Sequence, residues 1–240
     1  MASAQYVHAM ADPTDLTPLS VHGPTGAPIG GVVVVQEAFG VNDHIEDVCR
    51  RFAEEGYLAV APHLFHRSGD PKLGYDDLTQ VRPHMEALIA EGILTDIDAA
   101  LARLTEEGFP ALRIGVVGFC MGGTVALITA VEREVGAAVT FYGGGVTQGR
   151  FGFPPLVEMA PRLRAPWLGL YGDLDQGISI DEVEALRAAA ATAATKIEVV
   201  RYADAGHGFH CDQRASFHAA SASDAWQRTL DWFARYLPKS

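Results

Sequence analysis

A cysteine between glycines is the first feature of this chain with the means to do chemistry. Cys120 lies in Gly118-Phe119-Cys120-Met121-Gly122, a G-x-C-x-G pattern with Gly123 behind it. The run 113–119 reads as a strand and 121–133 as a helix, so the thiol falls at a strand-to-helix junction. Such a turn strains its central residue. It also needs small residues two before and two after, because a Cβ there would meet the neighbouring chain. Gly118 and Gly122 meet that need. The following helix turns its free N–H groups and positive dipole end on the sulfur, which favours the nucleophilic thiolate. The plainer alternative is a small buried cysteine at a tight turn. The glycines follow neither dinucleotide-binding nor P-loop spacing, and the predicted context selects the nucleophile.

A thiol nucleophile needs a base, and the base needs an orienting group. With a nucleophile on this kind of turn, the acid follows a late strand and the histidine follows the last one. "YGDLDQGIS" (171–179) comes after the strand "PWLGL" and offers Asp173 and Asp175. "ADAGHGFH" (203–210) comes after "KIEVVRY" and offers His207 between two glycines. Nine histidines occur, and that order selects only His207. His210 and His218 read as bystanders, and His8, His22, His44, His63, His66 and His84 have no partner pattern. An aspartate just after a strand can simply cap a turn or the next helix. One of the two aspartates is therefore expected to be structural.

Positioning these groups requires a series of strands and helices. "APIGGVVVVQEAFG" (27–40) and "YLAVAP" (57–62) read as buried strands around a helix over 44–56. Two helical patterns follow, 76–92 and 94–108, with Pro83 implying a break or a late start in the first. Strands over 136–144, 166–172 and 196–204 alternate with helices over 179–195 and 221–237, Ser179 serving as a cap. This alternation predicts a mostly parallel central sheet with helices on both faces. Nothing marks a second domain, so residues 1–240 are expected to be a single domain. The stretch 143–163 is the longest with little regular pattern, and long loops in such folds often shape the active site.

Composition narrows the partners. The net charge is −12, without a Lys/Arg-rich run, so phosphate backbones and anionic membranes are poor partners. No apolar run is long enough to span a bilayer. "MASAQYVHAM" lacks a secretory pattern, and three sparse cysteines fit free thiols in a reducing cytoplasm. Cys49 reads as core on its helix. No C-x-x-C or H-E-x-x-H spacing offers a metal cage, and no cofactor is expected.

Taken in order, "VVVVQEAFGVN", "GVVGFCMGG", "YGDLDQGIS" and "AGHGFH" resemble the dienelactone hydrolases, or carboxymethylenebutenolidases, cysteine members of the α/β-hydrolase fold. The likeness runs from about Gly30 to the last helix. It implies Cys120 as nucleophile, His207 as base, Asp175 rather than Asp173 as acid, and Glu37 beside the thiol controlling its ionisation. It also implies an oxyanion hole from the backbone N–H groups of Met121 and Ala38. The family's dienelactone-processing members hold a substrate carboxylate with arginines, one of them four residues after the catalytic histidine. Here that position is Cys211, leaving Arg214 or Arg82 as replacements, with Tyr142 as a pocket residue. The expected activity is opening of a small lactone or ester through a thioester, with a dienelactone as the model substrate. A general esterase of uncharged substrates is the alternative, and a non-hydrolysing ligand-binding protein or thiol sensor a more distant one. A monomer or small homo-oligomer is expected.

Overall fold

The computed structural model describes residues 16–76 and 78–238. His8 and the opening decapeptide lie outside the described residues. Seven strands form one sheet: β1 (Leu19–His22), β2 (Gly30–Val35), β3 (Tyr57–Pro62), β4 (Ile114–Phe119), β5 (Ala137–Phe141), β6 (Trp167–Gly172) and β7 (Ile197–Tyr202). Their order is β1-β3-β2-β4-β5-β6-β7, with β1 antiparallel to β3 and every other pair parallel. The helices are α1 (Asp43–Glu54), α2 (Arg82–Glu86), α3 (Ala90–Glu106), α4 (Met121–Glu132), α5 (Leu156–Met159), α6 (Ile180–Ala190) and α7 (Ala219–Tyr236).

The sheet is covered on both faces, which is why its central strands are apolar throughout rather than alternating. In β2, Val32 and Val34 join the core layer of Phe52 from α1 and Phe233 from α7. Val33 and Val35 join the opposite layer, with Ile97 of α3, Ala126 of α4 and Leu186 of α6. No described helix is long and apolar enough to cross a membrane.

Several boundaries differ from the sequence expectation. β1 lies in what reads as a polar opening; it is a four-residue edge strand, only partly buried. The run 27–40 is strand only to Val35, whose partner Gly118 is the last residue of β4 in the ladder. Beyond it α4 begins against the carbonyls of Val35 and Gln36, where a Cβ on Gly122 would collide. The chain therefore leaves the sheet and carries Glu37 and Ala38 over its edge. The pattern over 76–92 yields only a 3-10 turn (Leu78–Gln80) and α2, with Pro83 in the first turn, where its missing N–H is tolerated. α3 starts at Ala90 and runs through Gly92 instead of restarting after it. α6 stops at Ala190, short of the alanine- and threonine-rich run to 195, and its Ser179 cap forms a full capping box with Glu182.

Candidate active site

Chain direction reverses between β2 and β4: the strand after β2 lies on one side of it and β4 on the other. Ligands of open α/β sheets bind beyond the carboxyl ends of the strands at such a switch point. Glu37 follows β2 and Cys120 follows β4, one on each side of that crevice. Cys120 has φ 54° and ψ −117°, a strained conformation for a residue with a side chain. Hydrogen bonds over-determine it. Its N–H donates to the Phe141 carbonyl at 3.0 Å, and its own carbonyl accepts from Gly123 N–H at 3.0 Å. Gly118 fits because a Cβ there would sit on the Gly122 carbonyl.

His207 stands in the loop after β7, and its Nδ1 lies 2.7 Å from Asp175 Oδ2. The other oxygen of Asp175 accepts from the N–H groups of Gly177 at 2.8 Å and Ile178 at 3.2 Å, so the carboxylate is held at both ends. Asp173 is engaged elsewhere, accepting from Arg201 Nε at 2.7 Å and Nη2 at 2.9 Å. Burial alone would push the Cys120 thiol up, but the charge and hydrogen bond of His207 outweigh it and bring the thiol below its ordinary value. Burial likewise works against a charged His207, and the Cys120 thiolate together with Asp175 raises it instead. Each group thus favours the charged form of the other, thiolate on Cys120 and imidazolium on His207.

Glu37 is fully buried behind this pair. Its Oε2 accepts from Tyr75 O–H at 3.2 Å, and its Oε1 from Tyr142 O–H and Arg214 Nη1, each at 3.4 Å. Burial and the neighbouring carboxylate raise both phenols, keeping them donors. The Arg214 guanidinium lies over Phe39 and Tyr75, 5.5 and 5.6 Å from their ring centroids. It passes above Gly208, where any side chain would block it. The N–H of Ala38, in the loop after β2, donates to no described acceptor, nor does that of Met121, the residue that opens α4.

Cys120, Asp175 and His207 line a cavity of about 850 Å³. Its remaining walls come from 144–150, in the loop after β5, and from 174–178 and Glu182. The sequence-derived substrate residues lie elsewhere. Arg82 is surface, with its side chain 80% exposed and its Nε on Glu86 Oε1 at 2.6 Å; a helix-face ion pair holds it away from the cavity. Tyr142 is fully buried, with its ring 5.1 Å from that of His207, and it backs the histidine rather than lining the cavity. Arg214 reaches the site but is paired with Glu37. The arginine on the cavity wall is Arg150, which comes from the patternless stretch and carries no periodic signal. Tyr75 was also missed, since nothing in its neighbourhood announces a partner 38 residues away.

Cys211 is buried, and burial raises its thiol to about 11. It forms a group with Glu37 and His44 whose ligand atoms all lie within 4.8 Å of one another.

A mostly parallel sheet, a strained strand-to-helix turn after its fourth strand and a histidine–aspartate pair from the later loops are the arrangement of the α/β-hydrolase fold. The family model described as the dienelactone hydrolase family matches residues 19–237. A carboxymethylenebutenolidase of Rhodococcus opacus is 31% identical over 213 residues, covering 86% of this chain and 81% of the relative. A protein of Escherichia coli K12, named provisionally for the same activity, is 41% identical over 215 residues, covering 87% and 78%. A crystal structure from Klebsiella pneumoniae, described provisionally as a dienelactone hydrolase, superposes with a TM-score of 0.85 at 40% identity, covering 92% and 93% of the two chains. The chain belongs to the dienelactone hydrolase family and is a hydrolase.

Proposed function

We propose that the protein opens small lactones or esters through a thioester on Cys120, with the dienelactone implied by the family as a model substrate. The observation that carries this reading is that Cys120, His207 and Asp175 share one cavity wall, with His207 held by Asp175 at 2.7 Å and coupled electrostatically to the thiol. The thiolate attacks the carbonyl carbon, and the developing oxyanion takes the N–H groups of Ala38 and Met121. Two such donors each lower the barrier by about 3 kcal/mol. The C–O bond then breaks, and the departing enolate or alkoxide takes the proton from the His207 imidazolium. A lactone's leaving oxygen stays tethered to the acyl group. His207, now neutral, takes a proton from water, which attacks the thioester; the thiolate departs and the acid product leaves. Asp175 holds the imidazole with Nε2 toward the sulfur throughout. Glu37, neutralised by Arg214 and two phenols, sits beside the thiolate without its full charge opposing ionisation. The test is intact-mass measurement during turnover of an activated ester. An acyl adduct on the wild type that Cys120→Ala abolishes supports the reading, and undiminished hydrolysis by Cys120→Ala refutes it.

A further inference from the structure

The arginines of this chain are mostly committed. Arg214 is paired with Glu37, Arg82 with Glu86, and Arg201 with Asp173 and Glu184. Arg150 differs. It lines the cavity that holds Cys120, yet among the described residues its guanidinium has neither an ion-pair partner nor a hydrogen bond. It is held by shape instead. A Cβ on Gly144 would come within 3.0 Å of Nη1 and one on Gly145 within 2.9 Å of Cδ, so the side chain lies along two bare backbone units. Gly145 has φ +76°, which a side chain would disfavour. The Phe151 ring, centred 5.2 Å from the guanidinium carbon, flanks it on another side. A half-buried guanidinium with free N–H groups is an incomplete arrangement. Its planar donor fork matches a carboxylate, and no protein carboxylate fills it.

Resting on the hydrolase reading above, we propose that Arg150 is the specificity-determining residue of the site. It docks a carboxylate carried by the substrate, on the 144–150 wall of the cavity. The substrates favoured are then lactones or esters bearing a second, free carboxylate, rather than neutral esters. Arg214, one of the two arginines the sequence offered for this role, is instead paired with Glu37. The Arg150 side chain also puts positive charge near Cys120, so loss of carboxylate docking has to be separated from a general effect on the thiol.

The test uses two readouts on the intact chain. The first compares the 4-nitrophenyl half-ester of succinate with 4-nitrophenyl butyrate, a neutral ester of similar acyl length. In Arg150→Gln the anionic ester loses about 10- to 100-fold in kcat/KM relative to the neutral one, mainly through KM; Arg150→Lys keeps part of the preference. A general effect on the thiol would lower both esters alike, leave their ratio unchanged and overturn the proposal. The second readout does not need turnover: succinate is expected to protect Cys120 from iodoacetamide, with uncharged succinamide at matched ionic strength as the reference. Protection seen in the wild type and in the surface variant Arg103→Gln, but lost in Arg150→Gln, supports the docking site. Equal protection in Arg150→Gln, or none in the wild type, overturns it. If neither ester is hydrolysed, the hydrolase reading fails while the protection assay still decides the role of Arg150.

Discussion

Alkylation of Cys120 across pH probes the thiolate–imidazolium pair directly. A thiol at the ordinary value of 9.0 is half ionised at pH 9. At pH 6 it is only about 0.1% ionised, so its alkylation rate falls roughly 500-fold between the two. Burial acting alone would make that fall steeper. In this site His207 opposes it by charge and by a hydrogen bond, and His207 is itself held protonated by the thiolate and by Asp175 at 2.7 Å. The pair therefore persists through neutral pH. The rate of iodoacetamide labelling should fall by clearly less than the roughly 500-fold expected of an ordinary thiol between pH 9 and pH 6. Mapping by mass spectrometry assigns the label, since Cys49 and Cys211 are fully buried and burial raises both thiols. In His207→Gln the burial and the neighbouring Glu37 remain but the cation is gone. Labelling at pH 7 should then drop by about 100-fold or more, to the level of an ordinary thiol or below. A wild-type profile that tracks a free thiol, or a His207→Gln profile that matches the wild type, would refute the reasoning.

The two aspartates of the 171–179 loop should separate cleanly. Asp175→Asn removes the acceptor that fixes the imidazole, and kcat should fall by about 10³- to 10⁴-fold. Asp173→Asn should leave kcat within a few-fold and lower Tm slightly, because it weakens only one of the two carboxylate contacts of the partly exposed Arg201, which keeps Glu184. Ester kinetics with thermal melts on both variants check this, and the reverse ranking would make Asp173 the acid. A third expectation concerns His44 and His210, which burial holds below their ordinary value. The unfolded chain protonates both near pH 6.5 while the fold resists. Stability therefore falls as pH drops below about 6.5, by up to about 1.4 kcal/mol per unit for each histidine. Between pH 7 and 5.5, Tm should fall by roughly 3–10 °C. His210→Phe, set among Phe119, Phe141 and Trp226, should flatten that slope, and an unchanged slope measured by calorimetry counts against the argument.

Chain order made much of this site legible. Glycines at 118 and 122 report a close approach that no side chain permits, and His207 follows the last strand as the order requires. The choice between Asp173 and Asp175 needs the fold, because it depends on Arg201 reaching across from β7 to occupy one of them. β1 escaped notice because a four-residue edge strand, only partly buried, leaves little apolar pattern. The arginines were the least legible. Whether a guanidinium faces solvent, a buried carboxylate or a cavity is settled by where the fold places its element, which no local pattern reports. Arg82, Arg214 and Arg150 take those three fates in turn.

The turn that holds Asp175 has a further consequence for how this enzyme can diverge. Gly177 and Ile178 donate to the Asp175 carboxylate that holds His207, and both also line the cavity, which on the proposed mechanism ties the substrate wall to the base. A mutation that reshapes this wall to admit a new substrate therefore also disturbs the base. Among the described residues the wall 144–150 donates no hydrogen bond to the side chains of Cys120, Asp175 or His207; its Gly145 and Val146 carbonyls accept from Leu156 and Val157 of α5, and Thr147 Oγ1 donates to Glu182. New substrate ranges should accumulate there, in the segment whose sequence has the least pattern, while the 174–178 turn stays constrained by the Asp175 carboxylate it carries.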